Sequence, residues 1–173
     1  MKKIALIIAS ENFKDEEYFV AKEEFEGAGV GVETVSNKTG IAQGSDGGEA
    51  QVDKLLCDIN IDGYDAVVFI GGSGCLENLD NQTSYNIAKS VIDKNKVLAA
   101  ICISPVILAN AGILEGKKTT VWTSDMDKNA AKILKEKGAD YQKQNLVVDG
   151  DIITACGPQA TKEFAREIID KLL

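Results

Sequence analysis

The sequence predicts a doubly wound α/β fold, a mostly parallel sheet with helices on both faces. Three observations carry that expectation. Apolar runs of strand length, Ile4 to Ala9, Ala66 to Ile70 and Val97 to Ile101, show no alternation, as expected of parallel strands covered on both sides. The segments between them read as helices closed by glycine, and strands alternate with helices throughout. At 173 residues the chain is expected to form one domain over 1–173, burying roughly 70% of its unfolded surface.

The elements follow in order. Ile4 to Ala9 is the first and a central strand, and Asp15 to Glu26 is the first helix, with Phe19, Val20 and Phe25 among charges and Gly27 and Gly29 behind it. Val30 to Val35 reads as a second strand by its β-branched alternation, and Asn37 to Gln51, with four glycines, as a flexible loop or irregular hairpin. A short segment around Val52 to Cys57 leads to the strand Ala66 to Ile70, which ends in Gly71-Gly72-Ser73-Gly74. Asn81 to Lys94 is the next helix, Val97 to Ile101 the next strand, and Pro105 to Ala111 a helix with proline in its first turn. Thr119 to Trp122 reads as a strand, Asp127 to Lys137 as a helix, Leu146 to Ala155 as a hairpin around Asp149-Gly150, and Pro158 to Leu173 as a closing amphipathic helix.

Composition excludes several chemistries. The chain has no histidine, so serine triads, Cys-His dyads, His-ligated zinc and proximal-His haem are all ruled out. A net charge of −8 without a basic run argues against a nucleic-acid partner or a membrane surface, both of which need clustered positive charge. The four cysteines, Cys57, Cys75, Cys102 and Cys156, form no C-x-x-C pair, so they read as free thiols in a reducing compartment and no metal site is expected. The apolar run after Met1-Lys2-Lys3 is about six residues, short of a signal peptide, which leads to the expectation of a cytoplasmic protein.

In a doubly wound sheet, sites lie at the carboxyl ends of the strands. The first strand runs into Ser10-Glu11-Asn12-Phe13 without a glycine-rich turn, so a P-loop or dinucleotide fingerprint is missing where it would have to be. Gly72-x-Gly74 matches that fingerprint only in part, because its third glycine falls on Glu77, and no cofactor is expected. Strand, Cys102, helix is the more informative arrangement: a residue at such a turn is held exposed above a helix N-terminus, whose free N–H groups favour a thiolate and line an oxyanion position. A buried core cysteine fits the same spacing. Gly71-Gly72, at the neighbouring strand end, reads either as a second oxyanion donor or as an ordinary glycine turn. Glu17 is one of six acids between residues 11 and 24, and composition does not single it out.

Together these residues resemble the DJ-1/PfpI superfamily, whose sheet is similar to that of class I glutamine amidotransferases. The resemblance rests on Phe13-Lys14-Asp15-Glu16-Glu17, similar to the family's F-E-D-x-E helix start, and on Tyr64-Asp65-Ala66 through Gly71-Gly72. It rests also on Ala99-Ala100-Ile101-Cys102 with Pro105, on Ala111 to Lys118, and on Val147-Val148-Asp149-Gly150 through Gly157-Pro158. It implies a flavodoxin-like three-layer sandwich and a homodimer or larger oligomer. It further implies that Cys102 is the reactive elbow cysteine, that Glu17 is the acid meeting its sulfur, and that Gly72 and Ile103 supply oxyanion amides, with Gly71, Ser73, Cys75 and Trp122 around the pocket. A protonated Glu17 would donate to a thiolate and an ionised one would oppose it, so the pair should titrate together.

Three departures bear on activity. PfpI-type peptidases carry histidine directly after the nucleophile, and here Ile103 stands there, so a Cys-His peptidase is disfavoured. Trp122 holds the place of a pocket histidine of the DJ-1 branch and reads as pocket or core; Ala155-Cys156-Gly157-Pro158 stands for a Ser-Arg-Gly-Pro run. Cys75 reads as a buried or exposed loop thiol, with a resolving-thiol role as the alternative if the loop folds over the pocket. Three functions follow: a glyoxalase-like or deglycase-like enzyme in which Cys102 adds to a small carbonyl electrophile, a stress sensor in which peroxide oxidises Cys102, or an interaction module with an inert thiol.

Overall fold

The structure, a computed structural model, describes residues 1–173. A seven-stranded sheet runs in the spatial order Leu146–Asp149, Ile152–Ala155, Val97–Ile101, Ala66–Phe69, Lys3–Ile8, Gly31–Ser36 and Lys54–Leu55. Only the edge hairpin Leu146–Asp149 with Ile152–Ala155 is antiparallel; the other five pairings are parallel. Alternate side chains of each strand point to opposite faces, and the apolar runs divide accordingly. Ala5, Ile7, Val67, Phe69, Leu98 and Ala100 join one core beneath helices Gln82–Asp93, Pro105–Asn110 and Asn129–Glu136. Ile4, Leu6, Ile8, Val68, Ala99 and Ile101 join the other, with Tyr18 and Phe25 of helix Asp15–Gly27 and Phe164 and Ile168 of helix Thr161–Leu172. This is the three-layer α/β sandwich the apolar runs predict, and no helix is long and apolar enough to cross a membrane.

Several local expectations are corrected. The Asn37 to Gln51 segment is an ordered hairpin, Gly40–Gly44 against Glu49–Val52, and it pairs with a further short strand, Glu11–Phe13, as a separate three-stranded sheet. Of the strand expected from Thr119 to Trp122, only Thr119 pairs, as the end of the short strand Lys118–Thr119 beside Asp140–Tyr141; Thr120 instead turns its N–H to the Thr154 hydroxyl at 2.9 Å. The helix expected from Asp127 begins at Asn129, because the Asp127 side chain accepts the Asn129 N–H and forms a turn. The closing helix begins with a 3₁₀ turn, Pro158–Ala160. A five-residue helix, Cys75–Leu79, follows the glycine-rich turn.

The sheet sets the place of chemistry. From Lys3–Ile8 the chain crosses outward to Gly31–Ser36, then returns to the other side as Ala66–Phe69 and Val97–Ile101. Strand order therefore reverses beside Lys3–Ile8, and the crevice at the carboxyl ends there is where an open α/β sheet binds ligands. One buried hydroxyl braces that edge: Ser104 Oγ accepts the Ile101 N–H at 2.9 Å and lies 2.8 Å from the Phe69 and Ile101 carbonyl oxygens, either of which accepts its hydrogen bond. Ser104→Ala leaves these buried groups short of partners and is expected to destabilise the fold by about 2 kcal/mol. A shift in the urea midpoint measures it, and a variant as stable as wild type would show that the bridge contributes nothing.

Candidate functional site

Cys102 directly follows the strand Val97–Ile101, with φ at +65°, a left-handed conformation that a residue with a Cβ rarely holds. Three contacts over-determine it: its N–H donates to Ala155 O at 2.9 Å, its carbonyl accepts the Trp122 N–H at 2.8 Å, and Ser104 braces the turn from below. The side chain thereby turns toward Gly71, at the end of the neighbouring strand. A Cβ on Gly71 would lie 2.6 Å from Cys102 Cβ and 3.0 Å from Glu17 Oε2, so only glycine lets the three approach.

Glu17 reaches the same point from the first turn of helix Asp15–Gly27 and is fully buried. Its Oε2 accepts the Gly71 N–H at 2.9 Å, while Oε1 has no N–H or O–H donor, and the Cys102 thiol lies against the same carboxyl group. Burial pushes the Glu17 pKa up to about 7 from an ordinary value near 4.5, and the Gly71 N–H and the Cys102 thiol offset part of that rise. Burial also raises the Cys102 thiol, as do the charge on Glu17 and its hydrogen bond; the Ile103 N–H, which faces the sulfur, opposes the rise. Two acids in one desolvated place carry at most one negative charge between them, and that charge appears on Glu17 as pH rises through about 7.

The raised carboxyl has a consequence for stability. Its folded pKa exceeds its unfolded one, so the neutral form is the one the fold favours, and stability falls as pH rises from about 4.5 through about 7. The full loss is about 3 kcal/mol. Glu17→Gln, which cannot ionise, is expected to match wild type near pH 5 and exceed it by about 2 to 3 kcal/mol at pH 8.5. Melting temperatures at the two pH values decide the matter, and an unchanged difference between them would exclude a buried titrating carboxyl.

A cleft of about 560 Å³ opens onto Cys102. Gly72, Ser73, Ile103 and Trp122 line it as the sequence suggests. Neither the Gly72 N–H nor the Ile103 N–H has a backbone carbonyl partner. Gly72, at φ +122°, sits under the Phe13–Lys14 turn, where a Cβ would lie 2.4 Å from Asn12 O and 2.5 Å from Lys14 N. Two expected pocket residues are not in the lining. Gly71 is buried behind the cleft, its N–H committed to Glu17. Cys75 is fully buried in the core: it opens helix Cys75–Leu79 and packs inward with Leu79 one helical turn on. That i, i+4 spacing is the signal that separates a core thiol from a loop thiol. Cys156 faces a separate, smaller cleft that shares the Trp122 wall, with the Gln159 amide donating to its sulfur at 3.3 Å.

The sequence reading missed other lining residues. Leu76 and Pro158 add apolar wall, and Lys14 and Ser45 add polar groups. Ser45 arrives on the hairpin tip, which Asp15 holds by accepting the N–H groups of Asp46 at 3.0 Å and Gly48 at 2.6 Å. Asp15 thus ties the hairpin to the helix start that carries Glu17. The hollow of about 460 Å³ between Leu56–Ile61 and helix Gln82–Asp93 contains neither Glu17 nor Cys102.

Comparisons with known proteins agree with this fold. Residues 2–171 match the model of the DJ-1/PfpI family. An uncharacterized protein of Methanocaldococcus jannaschii is 42% identical over 168 residues, covering 96% of this chain and 80% of the relative. A deglycase of Pyrococcus abyssi is 30% identical over 168 residues, covering 97% and 98%. The crystal structure of a ThiJ/PfpI domain protein from Brachyspira murdochii superposes with a TM-score of 0.92 at 36% identity, covering 98% of this chain and 95% of that one. With that match over nearly its whole length, the chain belongs to the DJ-1/PfpI family.

Proposed function

We propose that this protein acts on small carbonyl electrophiles, in a glyoxalase-like or deglycase-like reaction, with Cys102 as nucleophile and Glu17 as the group that moves protons. One observation carries the reading: the thiol of Cys102, on a left-handed backbone, lines a cleft with a fully buried carboxyl behind it, and two residues of the same lining have backbone N–H groups without carbonyl partners. The name of the Pyrococcus abyssi relative supports the same reaction class.

With a 2-oxoaldehyde, the thiolate sulfur bonds to the aldehyde carbon and the carbonyl electron pair moves to oxygen. The N–H groups of Gly72 and Ile103 stabilise that alkoxide until it is protonated, giving a hemithioacetal. Glu17 takes the proton from the former aldehyde carbon and returns one to the neighbouring carbon, while the hydroxyl proton on the first carbon passes to the oxygen of the second. The first carbon is thereby oxidised to a thioester and the second reduced to an alcohol, with no outside oxidant. Water cleaves the thioester, releasing a 2-hydroxy acid and the free thiol. Glu17 suits the relay because its raised pKa lies near neutral pH, where both forms are populated. Ile103 follows the nucleophile and the chain has no histidine, so a Cys-His peptidase is disfavoured.

The test is lactate formation from methylglyoxal by wild type and by Cys102→Ser. Wild type should turn over and the variant should not. Equal rates would end the catalytic reading. Peroxide-dependent mass gain at Cys102 without turnover would leave the sensor function, in which the Glu17 carboxyl hydrogen-bonds the oxidised sulfur.

A further inference from the structure

We propose that Lys14 makes the Cys102 cleft an anion-preferring site, which favours electrophiles carrying a carboxylate or phosphate close to the reacting carbon over neutral ones. The inference rests on the reading of Cys102 as a nucleophile toward small electrophiles and adds the class of substrate to it. In a chain of net charge −8, Lys14 is the one cationic side chain lining this cleft. The remaining lining divides into an apolar wall of Leu76, Ile103, Trp122 and Pro158 and a polar side that includes Ser45 and Ser73. A small molecule with a short hydrocarbon stem and one anionic end matches both sides, whereas a purely apolar one gives the polar side no partner.

The lysine is built into the site. Its N–H donates to Gly71 O at 3.0 Å, which seats its backbone beside the strand end next to Cys102. Its Nζ donates to Asp46 Oδ2 at 2.9 Å, and the Asp46 N–H is itself held by Asp15. An ammonium has three donors, so Asp46 occupies one and leaves two. The Asp46 side chain is 56% exposed, and an ion pair this solvated is weak enough for an incoming carboxylate to share or displace it. The hydrogen bond to Asp46 and the charges of Asp46, Glu17 and Glu16 hold Lys14 protonated, its pKa above the ordinary lysine value. Glu17, when ionised, opposes an incoming anion, and Lys14 offsets that field.

Two alkylating reagents read this directly. Iodoacetate and iodoacetamide each bond carbon to the Cys102 thiolate and expel iodide, differing in a carboxylate against a neutral amide. The ratio of their rate constants cancels the thiolate population, so effects of a variant on the Cys102 or Glu17 pKa drop out. Lys14→Gln should lower the iodoacetate to iodoacetamide ratio at Cys102 by about threefold, the size expected of one screened charge several ångströms away. Lys14→Arg should preserve the ratio. Asp46→Asn, which frees the lysine, should raise it, an outcome a merely structural Lys14 does not predict. Exposed Cys57, followed in the same mass spectra, is the reference whose ratio should not move. A Cys102 ratio unchanged in both Lys14→Gln and Asp46→Asn would overturn the proposal. Methylglyoxal is neutral and does not call on Lys14, so its turnover by wild type tests the carbonyl reading separately.

Discussion

Replacing Glu17 by Gln is expected to lower carbonyl turnover by about 100- to 1000-fold while making Cys102 easier to alkylate. The two changes run in opposite directions because the carboxyl has two effects on one sulfur. As a proton relay it is required in the reaction, and an amide cannot take a proton from carbon. As a buried carboxylate beside the thiol it opposes the thiolate, both by its charge and by its hydrogen bond to the thiol. The amide removes that charge while its oxygen can still accept the Gly71 N–H that Oε2 now accepts. Above pH 8, where wild-type Glu17 is ionised, Cys102 should therefore react with iodoacetamide roughly tenfold faster in the variant. The advantage should shrink below pH 6, where wild-type Glu17 is already neutral. Rates measured across that range, with each cysteine resolved by mass, give the answer. Parallel loss of turnover and alkylation would mean that Glu17 serves only to activate the thiol, and the relay would have to be abandoned.

The second large effect is expected at Gly72. Gly72→Ala should destabilise the protein by about 3 kcal/mol or more, because two penalties combine. Its φ of +122° is closed to residues with a Cβ, and the added carbon would meet backbone atoms, Asn12 O at 2.4 Å and Lys14 N at 2.5 Å. Backbone cannot rotate aside as a flexible side chain would, so the Phe13–Lys14 turn must retreat. That turn leads into the helix carrying Glu17, so the carboxyl moves with it. Gly29→Ala is the control: its φ is +76° with nothing within 4 Å of the added carbon, so it isolates the conformational penalty of about 1 to 2 kcal/mol. Urea unfolding of both variants supplies the comparison. Equal destabilisation would show that the close approach over Gly72 does not matter to the fold.

How much of this was legible beforehand differs from one residue to the next. The strands Val97–Ile101 and Ala66–Phe69 stand where their apolar runs place them, because burial on both faces leaves a local signature in composition. Cys102 is legible as a candidate because an elbow is local too: a strand, a three-residue turn, then a helix begun by proline. Glu17 was one acid among six, and only resemblance to a family set it apart. Cys75 is buried, one of the two readings its residues allow, and the pocket place that the resemblance implies is not the one it takes; its spacing of four from Leu79 is that of an inward helix face. Trp122 reads as the end of a strand, but its segment has no strand to pair with at that point and its N–H is spent on Cys102.

The residues that shape the cleft's selectivity were not legible at all. Ser45 reaches the site because a hairpin some 30 residues beyond Asp15 is tied to that side chain by two N–H groups. Lys14 matters because of what it faces, Asp46 on one side and the cleft on the other. By itself the sequence determined the layers of the fold, the strand ends that hold a thiol, and the absence of imidazole chemistry, since each follows from local pattern or simple presence. Tertiary structure alone decided that Glu17 is buried against Cys102, that Cys75 belongs to the core, and that one lysine faces the cleft. Desolvation and charge coupling depend on atoms brought together from distant parts of the chain, and spacing along a sequence does not encode those distances.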